Sequence, residues 1–305
     1  MKLGIIGGAG VIGSTAAFYL AVNNLVDEIV LYDVRENYAQ NHAIDLDQGV
    51  SAVSNTTVSA GGLDDLQGCG IIINAAGVPE TGRACRDDYL IDNLPIILAI
   101  AEKIKAWGTN PVIINAANPI DVLNYKLYEH IGGRRGSYLS LSWNDTLRFR
   151  WSVAKEVGLS TALVDAIVLG EHGDYSVPVF SGVKRRDTGE PIALTRAQRE
   201  SVQTRLRSWF KNIIALKTDR TMGWTSGIGL GKMVEAIIIE SDAIIPCSCV
   251  ADGEYGLRGV SLALPLRLGK EGVREIVDIP LDEEELAGLM AASEKIRGLM
   301  GAGGA

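Results

Sequence analysis

Histidine is scarce in this chain: His42, His130 and His172 are the only three among 305 residues. Any chemistry that needs an imidazole acid or base near neutral pH must use one of them. Cysteine is nearly as rare, and Cys69, Cys85, Cys247 and Cys249 match neither the spacing of a zinc site nor a Cys-x-x-Cys redox pair. Four unlinked thiols fit buried or loop positions in a reducing compartment, and no metal site is expected. No apolar run is long enough to cross a bilayer. The first strand is expected at Lys2-Leu3-Gly4-Ile5-Ile6-Gly7, which leaves no room for a signal peptide and places the chain in the cytoplasm. A cationic surplus is also missing, with 29 Lys and Arg against 37 Asp and Glu and a net charge of -8. Phosphate backbones and acidic lipid headgroups would find no attractive surface, so neither nucleic acid nor membrane is expected as a partner.

What is present is a globular composition, 47% hydrophobic and 22% charged, in a chain long enough for two domains. The first part alternates short apolar runs with amphipathic stretches: Leu3 to Ile6, Val11 to Asn23, Glu28 to Tyr32, a helical stretch through Asp45, Gly70 to Asn74, a helix near Asp88 to Ala106, and Pro111 to Asn115. That alternation predicts βαβ units and a parallel sheet, and runs apolar at every position predict strands covered on both faces. After about Tyr138 helices mix with strands of antiparallel character, including Val177 to Arg186 and Val260 to Leu268. The expected fold is therefore α/β, a doubly wound Rossmann domain over residues 1–138 followed by an α+β domain over 139–305, with a cleft between them.

Gly8-Ala9-Gly10-Val11-Ile12-Gly13 is a Gly-x-Gly-x-x-Gly run between the first strand and the first helix. The first glycine is expected to make the tight turn, the second to admit a pyrophosphate, and the third to let helix pack on strand, with the helix N-terminus facing the negative charge. Asp33 lies twenty residues beyond Gly13, at the end of the second strand. A carboxylate there accepts ribose hydroxyls and repels a 2′-phosphate, which favours NAD over NADP as cofactor. A strand-end aspartate also serves as plain turn chemistry.

Of the histidines, His42 falls in a helix expected over Asn41 to Gln48, and His130 at a helix end stopped by Gly132, where a structural role suffices. His172, in Gly170-Glu171-His172-Gly173-Asp174, follows an apolar strand and sits between glycines. Reduction of a ketone needs a proton donor of this kind, oriented by a nearby carboxylate. Asp145 is a candidate for that carboxylate, and Arg148, three residues on along a predicted helix, offers the planar fork that a substrate carboxylate requires. An ordinary i,i+3 surface ion pair is the competing explanation for those two.

With these segments placed, the chain resembles the L-lactate/L-malate dehydrogenase family over nearly its whole length. The resemblance rests on the glycine run, Ala76-Gly77-Val78-Pro79 ahead of Arg86-Asp87-Asp88, Asn118-Pro119-Ile120-Asp121, Asp145-Thr146-Leu147-Arg148-Phe149-Arg150, Gly170-Glu171-His172-Gly173-Asp174 and Asp252-Gly253-Glu254-Tyr255-Gly256, in the family's order. It implies hydride transfer between NAD and a small 2-oxo/2-hydroxy acid, with His172 as acid/base, Asp145 as its partner, Arg148 on the substrate carboxylate, Asn118 near the reacting oxygen and nicotinamide, and Arg86 polarising the carbonyl from a closing loop. It further implies cofactor contacts from Gly8, Gly10, Val11, Ile12, Gly13, Asp33, Ala75, Ala76, Gly77, Asn93, Ala116 and Asn118, substrate contact from Thr225, and a homodimer or homotetramer. A non-catalytic NAD-binding homologue and an NAD-dependent glycosidase are the alternatives of other classes.

The family's specificity position falls on Glu80, where malate enzymes resemble one another in carrying arginine and lactate enzymes glutamine. The second carboxylate of oxaloacetate about 4 Å from a glutamate would be repelled by about 4 kcal/mol at an effective dielectric near 20. That penalty is on the order of a thousandfold, and it changes sign for a substrate with a cationic or hydrogen-bond-donating tail. Two other arrangements compete: Glu80 facing solvent, and Glu80 paired with Arg83, which then stands in for the missing arginine. Asn144, Leu141 and the run Thr221 to Ser226 also depart from the family's usual residues. There Trp224 is expected in the core or an interface, and Met222 or Thr225 near substrate.

Overall fold

The computed structural model describes residues 1–79, 86–218 and 222–302. The first half is a succession of strands and helices: β1 (Lys2–Ile6), α1 (Val11–Val22), β2 (Glu28–Tyr32), α2 (Glu36–Val50), β3 (Thr57–Ala60), β4 (Ile71–Asn74), α3 (Leu90–Trp107), β5 (Val112–Asn115), α4 (Ile120–Ile131) and β6 (Tyr138–Ser140). The second half adds α5 (Trp143–Val157), β7 (Val164–Asp165), β8 (Val168–Gly170), β9 (Ser176–Pro178), β10 (Lys184–Arg185), α6 (Arg196–Ile214), α7 (Trp224–Ile239), β11 (Ile245–Asp252), β12 (Arg258–Gly269), β13 (Gly272–Ile276) and α8 (Glu283–Ala302).

Six parallel strands run in the order β3-β2-β1-β4-β5-β6, the doubly wound arrangement that the alternating pattern predicts. β4 (IIIN) and β5 (VIIN) are buried at every position because helices cover both faces of the sheet. The sheet does not stop at the last parallel strand. β6 also pairs antiparallel with β11, and the order continues β11-β12-β8-β9, with β13 pairing the end of β12 from Leu266 to Gly269. The division expected between residues 138 and 139 thus falls inside a strand that both halves share. The strand expected over Val177 to Arg186 is two short ones, β9 and β10, which belong to different sheets. Pro178, which ends β9, has no N–H to continue the ladder.

A second junction lies between helices. Gly223, Gly227 and Gly231, four apart on α7 and its N-cap, lie against Val11, Thr15 and Tyr19 of α1, where an added Cβ would come within 2.5, 2.4 and 2.1 Å of those side chains. The stripe of missing side chains lets the two backbones approach closely, so the entrance of α7 sits over the first turn of α1.

Candidate active site

Where β1 gives way to α1, Ile6 ends the strand and Gly7 makes the turn with φ +79. A Cβ on Gly7 would lie 2.7 Å from the Ala75 carbonyl carbon, and one on Gly13 would lie 2.3 Å from the Gly7 carbonyl oxygen. The tight turn assigned to Gly8 is therefore made by Gly7, one residue earlier. The amides of Gly7 and Gly8 both donate to the Tyr32 carbonyl, at 2.8 and 2.9 Å. The N-cap of α1 is Gly10, and among the described residues the first-turn N–H groups of Val11 and Ile12 have no side-chain acceptor. A bare helix N-terminus beside a turn with no Cβ is the cradle that a dinucleotide pyrophosphate fits.

Asp33 is buried just beyond β2, and its two oxygens accept from the Ala9 amide and the Arg35 amide, each at 3.0 Å. The carboxylate therefore ties the glycine turn to the end of β2, the place where a ribose would lie. Ala75 and Ala116 continue β4 and β5 at the same edge of the sheet, their amides donating to Ile6 and Asn74 carbonyls at 2.8 Å. Asn93 of α3 joins the two loops that follow: its Oδ1 accepts from the Val78 amide at 2.8 Å, and its Nδ2 donates to the Asn118 carbonyl at 2.7 Å. Gly77 leaves room for that amide, since a Cβ there would sit 3.0 Å from Asn93 Oδ1. All the described cofactor residues expected from the sequence thus line one edge of the sheet.

On the other side of the cleft, His172 lies two residues past β8 and is buried. Its Nδ1 is 2.5 Å from Asp145 Oδ2, and the second oxygen of Asp145 accepts from Arg148 Nη1 at 2.8 Å. Asp145 and Arg148 are only 16% and 14% exposed, so this is not the solvated surface pair that i,i+3 spacing most often makes. The Arg148 guanidinium also stacks over the Trp209 ring of α6, 3.6 Å from its centroid. An ionised Asp145 calls for the proton on Nδ1, which leaves Nε2 to give or take a proton. The other two histidines stay outside this arrangement: His130 pairs with Glu102 at 2.7 Å on the surface, and His42 lies half-buried within α2.

Beside Arg148 lies a cavity of about 480 Å³ whose walls include Glu171, Tyr175, Trp209, Phe210 and Lys295. Thr225 is not in that wall. It is half-buried in the first turn of α7, at the place where the glycine stripe draws that helix onto α1. Trp224, expected in the core or an interface, is 69% exposed. Asn144 packs within the fold instead, donating to Ser226 Oγ at 3.2 Å and so tying α5 to α7. Glu80 and Arg83 lie outside the described residues, as do Cys85 and Thr221; Arg86 opens a 3-10 turn through Tyr89, its side chain undescribed. Cys69, Cys247 and Cys249 are buried free thiols.

Two buried acids beside His172 were not singled out by the sequence. Burial pushes Glu171 up to about 7 and Asp121 up to about 8. Their only advance signal is position, one next to the histidine and one in the first turn of a helix that follows Asn118-Pro119. Between about pH 4.5 and 7 the native state keeps a proton on Glu171 that the unfolded chain releases, so this group lowers stability as pH rises through that window. The Glu171→Gln variant lacks that slope. Its melting temperature relative to wild type should rise from pH 4.5 to 7 and then level off, and a constant difference in thermal scans would contradict the burial argument.

A nucleotide-type parallel sheet continuous with an α/β half that presents a histidine, its carboxylate and a half-buried arginine defines a nicotinamide-dependent dehydrogenase. Residues 1–137 match the family model described as lactate/malate dehydrogenase, NAD binding domain, and residues 144–301 match that of the lactate/malate dehydrogenase alpha/beta C-terminal domain. The malate dehydrogenase of Halobacterium salinarum is 35% identical over 298 residues, covering 97% of each chain, and that of Chlorobium limicola is 30% identical, covering 96% of this chain and 95% of its own. Among solved structures, the lactate dehydrogenase of Cryptosporidium parvum complexed with lactic acid and NAD has a TM-score of 0.93 at 26% identity, covering 99% of this chain and 97% of its own. The malate dehydrogenase of the same organism gives 0.92 at 26% identity, covering 99% and 98%. The chain belongs to the lactate/malate dehydrogenase family, and is an NAD-dependent 2-hydroxy acid oxidoreductase.

Proposed function

We propose that the chain interconverts a small 2-oxo acid and its L-2-hydroxy acid with His172 as the acid/base. The observation that carries this reading is the shared use of Asp145, one oxygen on His172 Nδ1 and the other on Arg148. Bound NAD supplies the site that accepts or returns the hydride. Asp145 holds the imidazole with Nε2 available, so the proton moves between Nε2 and the substrate oxygen. Arg148 presents its fork to the substrate carboxylate, with the Trp209 ring setting the plane of the guanidinium. Asn118 and Arg86 act at the reacting oxygen, and Thr225 reaches the substrate only from the α7 entrance. Gly7, Gly10 and Gly13, with Val11 and Ile12, take the pyrophosphate, and Asp33 takes the ribose hydroxyls.

For the substrate, the charge of Glu80 supports a 2-oxo acid that is neither pyruvate nor oxaloacetate, one with a cationic or hydrogen-bond-donating tail. A second reading, malate, is favoured by the names of the relatives at 30–35% identity. Steady-state rates with NADH on a panel of pyruvate, oxaloacetate, branched, aromatic and amino- or guanidino-tailed 2-oxo acids decide between them. A clear preference for oxaloacetate would sink the charge argument, and no turnover on any member would sink the dehydrogenase reading itself.

The cytoplasm is the proposed location; among the described residues no helix is long and apolar enough to cross a membrane. A homodimer or homotetramer is proposed because Tyr38 and Ile44 on α2 and Trp224 and Ile228 on α7 are each 43% or more exposed. Sedimentation equilibrium giving the mass of one chain would rule this out.

A further inference from the structure

The catalytic histidine is held by its side chain on one side and by its main chain on another. Its imidazole is fixed by Asp145, and its backbone N–H donates to Asp121 Oδ2 at 2.8 Å. Asp121 is 3% exposed and belongs to the first turn of α4, 51 residues away in sequence. The segment that carries His172 is the turn between β8 and β9; the Gly173 and Tyr175 amides close it on the Glu171 carbonyl and carboxyl at 2.9 and 2.8 Å, and neither bond engages the His172 amide. Gly170 before it has φ +82, Gly173 follows it, and β8 pairs with β12 at Gly170 alone. A backbone flanked by two glycines needs an outside partner to settle its direction.

The surroundings of Asp121 fit a carboxyl without charge. Asn124 of the same helix donates to Ser261 Oγ at 2.8 Å, and Ser261 lies 2.8 Å from Ser248 on β11. All three of these side chains are fully buried. Among the described residues no cationic side chain faces Asp121; the groups that do are the His172 N–H, the Ser248 hydroxyl, and the carboxyls of Glu171 and Asp145. Two of those neighbours repel a negative charge, and burial opposes one as well, which accords with its upward shift to about 8.

We propose that Asp121 is a positioning residue for the proton transfer, a neutral acid whose oxygen fixes the main chain of His172 so that the imidazole stays between Asp145 and the substrate. The proposal rests on His172 being the acid/base. A displacement of about 1 Å at such a group costs on the order of a hundredfold in rate, which is the scale of effect at stake.

The test compares Asp121→Asn, Asp121→Ala and His172→Asn in the NADH-dependent reduction of the best 2-oxo acid from the panel, with NADH affinity read by fluorescence. Asparagine offers the same acceptor oxygen without a charge, so Asp121→Asn should keep kcat within about twofold and leave the pH profile of kcat/KM unmoved. Asp121→Ala removes the acceptor and should lower kcat tenfold or more while NADH affinity and KM change little. If the alanine chain does not fold, Asp121→Ser, too short to reach the amide, serves in its place. Full kcat in the alanine or serine variant, beside an inactive His172→Asn, would overturn the positioning role alone. An asparagine variant as slow as alanine, or with a shifted acid limb, would show that the charge is needed and overturn the neutral-acid proposal. Turnover surviving in His172→Asn would overturn the acid/base assignment and this proposal with it.

Discussion

His172→Asn should reduce turnover by on the order of a hundred- to ten-thousand-fold while leaving NADH binding intact. The amide nitrogen of asparagine lies near where Nδ1 lies, so the bond to Asp145 is kept, but nothing replaces Nε2. What is lost is the proton transfer, and general acid–base catalysis contributes about 10² to 10⁴ in rate. The proposed NADH contacts, the turn at Gly7 to Gly13 and Asp33, are made by β1, α1 and β2 and not by the segment that carries His172. Because the interaction is made in the transition state, kcat and kcat/KM should fall together. Stopped-flow turnover and fluorescence titration of NADH separate the two quantities, and wild-type turnover in the variant would remove His172 from the mechanism.

Glu80→Arg should raise kcat/KM for oxaloacetate on the order of a thousandfold relative to wild type. Two carboxylates about 4 Å apart repel by about 4 kcal/mol at an effective dielectric near 20, and about 1.4 kcal/mol is one decade. Reversing the charge converts that repulsion into attraction, so a thousandfold is the removal of the penalty alone. Activity on an amino-tailed acid should fall in the same variant. No change in the ratio of the two substrates would mean that residue 80 does not face the substrate, and would leave the malate reading in place.

The glycine run, the strand before it and Asp33 are close in sequence, so their relation is written locally as strand, turn and helix. Even so, the turn residue proper is Gly7, since strand β1 ends one residue earlier than the motif spacing suggests. The pairing of His172 with Asp145 spans 27 residues and was legible only as a juxtaposition of residue types with matching chemistry. Arg148 was legible as a neighbour of Asp145 on a helix, because i,i+3 spacing is a local rule. Its stacking on Trp209, 61 residues on, was not.

By itself the sequence determined the alternation of strands and helices, a glycine turn between the first strand and the first helix, and a choice of three histidines for any imidazole acid/base, because each depends on short-range periodicity or on a scarce residue type. Only the tertiary structure decided how the two halves meet. β6 serves the parallel sheet on one edge and the antiparallel strands on the other, and a stripe of glycines lays α7 on α1. The same long-range packing sets Asp121 against the backbone of His172 and withdraws Thr225 from the cavity wall beside Arg148. Such contacts join residues tens of positions apart, and their geometry follows from which backbones can approach, a property of the assembled layers rather than of any one segment.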